Sequence, residues 1–216
     1  MKNVLKNKYL LLFFVTILMP LLVSANTNSS AVTYVEGQDY THIAGIPEAQ
    51  QPVVREFFSY NCPHCYRQDA LFEQTATLLG KDIVFVRTPV GAGRESWILS
   101  QKAYYLAQTF KVTRQVHGAI FKRIHEQEGS FKNDMDLVNF FVKQGLEVNE
   151  VKATLVSVDA SLALSNYDLQ AQLSGIRGVP SLLVNGQYLI SSISQTPEQL
   201  SKLIQYLSQL PIKTRE

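Results

Sequence analysis

The chain contains two cysteines, and both fall in one tetrapeptide, Cys62-Pro63-His64-Cys65. Two thiols this close can exchange electrons, hold a metal or form a structural staple. The staple is the weakest use, because stabilisation by a cross-link grows with the loop it closes and this one would close almost nothing. A metal site wants about four ligands; His64 lies between the cysteines, whereas His42, His117 and His125 fall in other elements. Redox exchange is the favoured reading, with an inert disulfide and a metal site as its alternatives.

The residue types also say which cysteine should react. Pro63 suits the first turn of a helix, where its missing N–H is no loss, so Cys62 becomes the N-cap. Its sulfur then faces the free N–H groups of His64 and Cys65 at the positive end of the helix dipole, which stabilises a thiolate. His64 can add to this through its own N–H or as a cation. Cys65 lies one turn further in. Cys62 is therefore expected to be attacked and Cys65 to resolve the mixed disulfide. Because only the reduced form gains from a stabilised thiolate, the disulfide should be a good oxidant.

Several elements are needed to hold this pair. Ala31 to Val35 reads as a short first strand, and Val53 to Ser59, rich in β-branched and aromatic residues, as a central one. A helical pattern follows the cysteines to Leu79 and is closed by Gly80; Ile83 to Val86 is another strand. From about Glu95 to Leu173 only helical periodicity appears, with Leu99, Ala103, Leu106 and Phe110 on one face and Val112, Val116, Ile120 and Ile124 on another. The last of these helices, from about Asp159, carries two apolar stripes, Ala160, Leu164, Tyr167 and Ala171 against Leu162, Leu169 and Leu173, and is expected to be sandwiched between insert and sheet. Asn185-Gly186 joins Ser181–Val184 to Gln187–Ile190 in a hairpin. Thr196, Pro197 and Gln199 then start a helix with a capping box.

Glu56 sits in the central strand on the same side as Val54 and Phe58, which predicts a buried carboxyl with a raised pKa that could exchange protons with Cys65. The competing reading points it out of the sheet edge into water. Asp69 lies one helical turn after Cys65, on a face that could equally be solvated.

The N-terminus has Lys2, Lys6 and Lys8, an apolar run from Tyr9 to Met19 and a small-x-small site at Val23-Ser24-Ala25. These are the three parts of an export signal cut after about Ala25; a retained anchor would want roughly 20 apolar residues. Removing residues 1–25 takes Lys+Arg from 20 to 17 against 18 Asp+Glu. No basic stripe for nucleic acid or polybasic membrane patch survives. An exported chain that keeps only one short cysteine pair points to redox work.

The stretch Glu56-Phe57-Phe58-Ser59-Tyr60-Asn61-Cys62-Pro63-His64-Cys65-Tyr66, with Gly178-Val179-Pro180 and Val184-Asn185-Gly186, closely resembles the DsbA family of periplasmic disulfide oxidases. The resemblance covers essentially all of the chain after the signal. It implies an α/β (α+β) thioredoxin fold with an inserted all-helical domain: residues 26–92 and 161–216 form the thioredoxin part and 93–160 the insert. It implies a cis Val179–Pro180 bond beside the cysteines, with Val179 pairing to a bound client strand, and a basic role for Arg87 balancing a buried acid. Cys62, Cys65, His64, Pro63 and Glu56 are the catalytic candidates, and Val179 and Pro180 the substrate-binding ones.

The family further implies no cofactor beyond the Cys62–Cys65 disulfide and no metal. Its clients are unfolded exported proteins with reduced cysteines, and re-oxidation is by a DsbB-like membrane quinone reductase. A monomer in the periplasm is expected. The rival readings are a disulfide isomerase and a chaperone-like thioredoxin-fold binding module. Residues 91–97 are shorter and more polar than the resemblance leads one to expect, which bears on client preference.

Overall fold

In the computed structural model, which describes residues 33–45, 48, 52–193 and 195–212, five strands form one mixed sheet. They are β1 (Tyr40–His42), β2 (Val53–Phe58), β3 (Val84–Pro89), β4 (Ser181–Val184) and β5 (Tyr188–Ile190). Their order is β1-β5-β4-β2-β3, with β2 and β3 parallel and the other pairings antiparallel. The helices are α1 (Pro63–Leu79), α2 (Glu95–Thr109), α3 (Thr113–Lys122), α4 (Asp134–Lys143), α5 (Val148–Leu155), α6 (Val158–Leu173) and α7 (Pro197–Ser208), with a π-helical turn at Arg123–Gln127.

The alternation of β2 divides the core. Val54 faces the cluster that α1 and α7 complete with Phe72, Leu200, Leu203 and Ile204. Phe57, on the other face, packs on Leu183 and on Ala171 of α6. Phe58, at the end of β2, belongs to a third cluster with Tyr60, both cysteines and the helical residues Leu99, Ala103, Leu106, Val116, Ile120 and Phe121. The strand therefore runs out of the sheet core straight into the helical insert. The cysteine loop is built where they meet.

Three expectations change. The signal segment and Ala31 and Val32 lie outside the described residues, and Thr33–Val35 carry no strand. The Val35 carbonyl accepts the N–H groups of Gln38 and Asp39 in a turn, so its pairing capacity is used locally; the first strand is Tyr40–His42, where Tyr40 can bury its ring and pair with Ile190. The hairpin keeps Asn185 and Gly186 at positive φ, 50° and 70°, as a tight turn requires, but Val184 pairs with Tyr188, leaving Gln187 in the loop. Asn185 also accepts from the Val53 N–H at 3.1 Å and donates to the Ser208 carbonyl at 3.1 Å, tying the turn to β2 and α7.

Finally, α6 is not sandwiched. Its Ala160 and Ala171 are buried, while Leu162, Leu169 and Leu173 are 63%, 50% and 49% exposed. The insert and sheet contact α6 through its other side, by α2, α5 and β3. Leu169→Lys and Leu173→Lys should accordingly each change stability by less than about 0.5 kcal/mol, whereas Ala171→Lys, which forces a charge against Phe57 and Leu183, should cost more than about 2 kcal/mol. Chemical denaturation of the three variants measures this.

Candidate active site

Cys62 occupies the N-cap of α1 with extended backbone, φ −89° and ψ 117°, and Pro63 fills the first helical position. Both cysteines are buried, Cys65 completely, while Cys62 retains 6% exposure. Both are free thiols, the dithiol form of the pair. The Cys62 pKa is lowered to about 5, first by the hydrogen bond from the Cys65 thiol, with the backbone N–H groups of Cys65 and His64 and the His64 charge adding to it against the cost of burial. Cys65 moves the opposite way. Burial, followed by the neighbouring Cys62 sulfur, raises its pKa strongly. The asymmetry expected from helix capping is thus present, although its largest single source is the partner thiol.

His64 is exposed, and in its neutral form its Nδ1 accepts from Arg67 Nη2 at 2.8 Å. A permanent cation one turn along α1 therefore stands beside the imidazole, which sequence reading had not singled out. Cys62 Sγ lies 3.4 Å from the Val179 carbonyl oxygen, and the Val179–Pro180 bond is cis. The two ends of the site, far apart in the chain, meet across this contact.

Behind the cysteines, Glu56 is 1% exposed, which excludes the outward-pointing alternative. Parallel pairing sets it directly opposite Arg87, whose Nε donates to Glu56 Oε2 at 2.8 Å. Burial raises the Glu56 pKa in spite of Arg87. Its charge in turn opposes ionisation of Cys65, which places the carboxyl within electrostatic reach of that sulfur. Arg87 also meets Glu73 at 2.9 Å.

The two residues before Cys62 are held almost entirely from the insert. Tyr60 is fully buried; its hydroxyl donates to His117 Nδ1 at 2.7 Å when His117 is neutral, and the opposite nitrogen of that ring meets Asp69 at 2.9 Å. The Tyr60 carbonyl accepts from His125 Nε2 at 2.8 Å, and the His125 ring stacks on Tyr66 at 4.7 Å with an interplanar angle of 3°. Tyr66 donates to Glu126, next along the same π-helical turn. Asn61 donates to Ser130 and accepts from Ser100. His117 and His125 are thus site-forming residues whose distance in sequence had set them aside; His117 lies in α3 and His125 eight residues on, in the π-helical turn, a spacing that alone gave no sign of a shared target.

Asp69, Glu73 and His117 offer ligand atoms within 4.8 Å of one another. Asp69 is already paired with His117 and Glu73 with Arg87, and Arg87 and Arg114 line the same surface pocket. The positive charge there opposes a cation. The group reads as a charge network that connects buried Glu56 to a pocket open to water, and Asp69 is part of it rather than of a solvated helix face.

Comparison with known proteins follows the same line. The model of the DSBA-like thioredoxin domain matches residues 72–205, a stretch beginning after the cysteine pair. The chain is similar to the thiol:disulfide interchange protein DsbA of Pseudomonas aeruginosa, 27% identical over 183 residues, covering 83% of this chain and 86% of the relative. It is also similar to DsbA of Escherichia coli K12, 25% identical over 199 residues, 84% and 92% of the two chains. The crystal structure of Pseudomonas aeruginosa DsbA superimposes with a TM-score of 0.73 at 26% identity, over 82% of this chain and 93% of that one.

The Cys62 shift has a thermodynamic consequence. A folded-state pKa of about 5 lies below the unfolded thiol value of about 8.5, so the reduced protein gains stability that is complete above the unfolded value and is lost as pH falls through the folded one. The oxidised protein lacks this titration. The stability of the reduced form relative to the oxidised form should therefore fall by roughly 3 kcal/mol between pH 7 and pH 4, as read from guanidinium unfolding of both forms across that range.

Proposed function

The chain belongs to the DsbA-like thioredoxin-domain family, and on that footing we propose that it is a thiol:disulfide oxidoreductase working in the oxidising direction. The observation that carries this is the asymmetric placing of the two sulfurs, Cys62 at the start of α1 with its pKa lowered to about 5 and Cys65 fully enclosed with its pKa raised. A client thiolate attacks Cys62 Sγ of the disulfide; the Cys62–Cys65 bond breaks and its electron pair goes to Cys65. A second client thiolate then attacks the client sulfur of the mixed disulfide. Cys62 departs as a thiolate, the client leaves with a disulfide, and the enzyme is left reduced. A leaving group stabilised at the helix start favours that last step.

Cys65 cannot remain an anion in its buried position, so it takes up a proton as it leaves. Glu56, itself kept protonated more readily by burial, is the donor; its proton is restored from water through the pocket lined by Asp69 and Glu73, while Arg87 stays a cation that holds the carboxyl in place. Pro63 sets the first turn and His64 supplies an N–H and charge to the Cys62 sulfur. Val179 and Pro180 present a backbone edge on which an extended client chain pairs by strand addition.

The setting is proposed with the chemistry. Residues 1–25 act as an export signal, residues 26–92 and 161–216 as the thioredoxin part and 93–160 as the insert. The protein works in the periplasm as a monomer without a bound cofactor or metal, and a DsbB-like membrane quinone reductase restores its disulfide.

Cys62→Ser should abolish oxidation of a reduced, unfolded client, and retained activity in that variant would refute the assignment. Glu56→Gln should keep the cysteines and slow turnover on the order of tenfold, most at high pH where water supplies few protons. A rate profile unchanged from the parent protein would remove Glu56 from the mechanism.

A further inference from the structure

Val179 is shared between the cysteine site and a separate groove of about 300 Å³. Val90, Trp97, Ile176 and Val179 give this groove apolar walls, and Arg94 and Arg177 stand at its rim. Its floor is the outer edge of the Phe57, Ala171 and Leu183 cluster, on which Val90, Ile176 and Val179 pack. The apolar lining is therefore continuous with the core on that face of the sheet.

The charge at the rim is one-signed. Among the described residues lining the groove are two arginines and no carboxylate. The Arg94 guanidinium lies 4.7 Å over the Trp97 ring, a cation–π contact that leaves its in-plane N–H groups free to donate. Arg177 is exposed, and neither arginine has a carboxylate partner among the described residues. Glu95, next to Arg94 in sequence, lines a different pocket with Lys102 and Asp134, and Asp168 accepts from Gly91 N–H and Gln101.

We propose that this groove is a client subsite that takes an extended segment carrying a carboxylate and an apolar side chain close to its reactive cysteine. The inference rests on the oxidoreductase reading and names the client chemistry that the same site prefers. A chain paired beside Val179 has its cysteine at Cys62, whose sulfur is 3.4 Å from the Val179 carbonyl oxygen. At about 3.4 Å per extended residue, side chains within roughly four positions of that cysteine reach the groove. The apolar side chain fills the slot between Trp97 and Ile176, and the carboxylate meets the two guanidinium groups, which suit its planar shape.

The test uses the oxidised full chain and a series of dithiol peptides identical except for Asp or Lys at each of about four positions on either side of the attacking cysteine. At one or more positions the Asp peptide should be oxidised about fivefold faster than its Lys twin at low salt, with the advantage falling toward parity in high salt. Arg94→Glu with Arg177→Glu should invert the Asp-to-Lys ratio, and Arg94→Gln with Arg177→Gln should bring it close to one. Because each ratio is internal to one protein, a variant of altered overall activity still reports. Parity at every position, or the parental ratio persisting in the charge-reversed variant, overturns the subsite. Dithiothreitol separates the two readings: if the parent protein oxidises it but shows no charge preference, the subsite alone falls, and if it cannot oxidise it, the oxidoreductase reading falls as well.

Discussion

A sulfur anion held at the first turn of α1 is the interaction on which the rest of the molecule depends. Its stabilisation comes from groups within four residues, the Cys65 thiol and the N–H groups of His64 and Cys65, yet they act only because the backbone before Cys62 stays in one conformation. Most of the fold around the site serves that requirement. The same geometry that favours charge on Cys62 denies it to Cys65, which is one turn deeper and enclosed by the core. A dithiol polarised in this way is a poor reductant and its disulfide a ready oxidant.

The insert takes part in this directly. Tyr60 is gripped at its hydroxyl by His117 and at its carbonyl by His125, and Asn61 is held by Ser100 and Ser130. These partners come from α2, α3, the π-helical turn and the loop after it. A π turn widens the helix by one residue and is commonly retained where a side chain must be re-aimed; here the turn carries both His125, stacked on Tyr66, and Glu126, which accepts from Tyr66. The thioredoxin part thus supplies the sulfurs and the cis-proline edge, and the helical part sets the loop that aims them.

Much of this could be read from residues before any coordinates. The Cys-Pro-His-Cys tetrapeptide states its own local structure, because Pro63 and a following helical pattern leave one conformation for Cys62. Glu56 was legible from strand alternation, and the Thr196 capping box from spacing, since both signals are local; the box is present as expected. The helical insert followed from where the period changes. What escaped were contacts that only topology creates. His117 and His125 are remote from Tyr60 in sequence, and no pattern in α3 or the π-helical turn announces a tyrosine as their target. Arg67 belongs to no motif, and only its hydrogen bond to His64 places it at the site. The second stripe of α6 misled for a physical reason: leucines at helical spacing read as a packing face whether or not a partner covers them, and here Leu162, Leu169 and Leu173 face water.

Titration of the ultraviolet thiolate absorbance of the reduced protein, with Cys65→Ala alongside to assign the signal, addresses the central claim most directly. The account predicts one thiolate appearing with a midpoint near 5 in the parent protein, and a higher midpoint once the Cys65 thiol that donates to it is gone. A midpoint close to that of an ordinary cysteine, about 8.5, in the parent protein would contradict it.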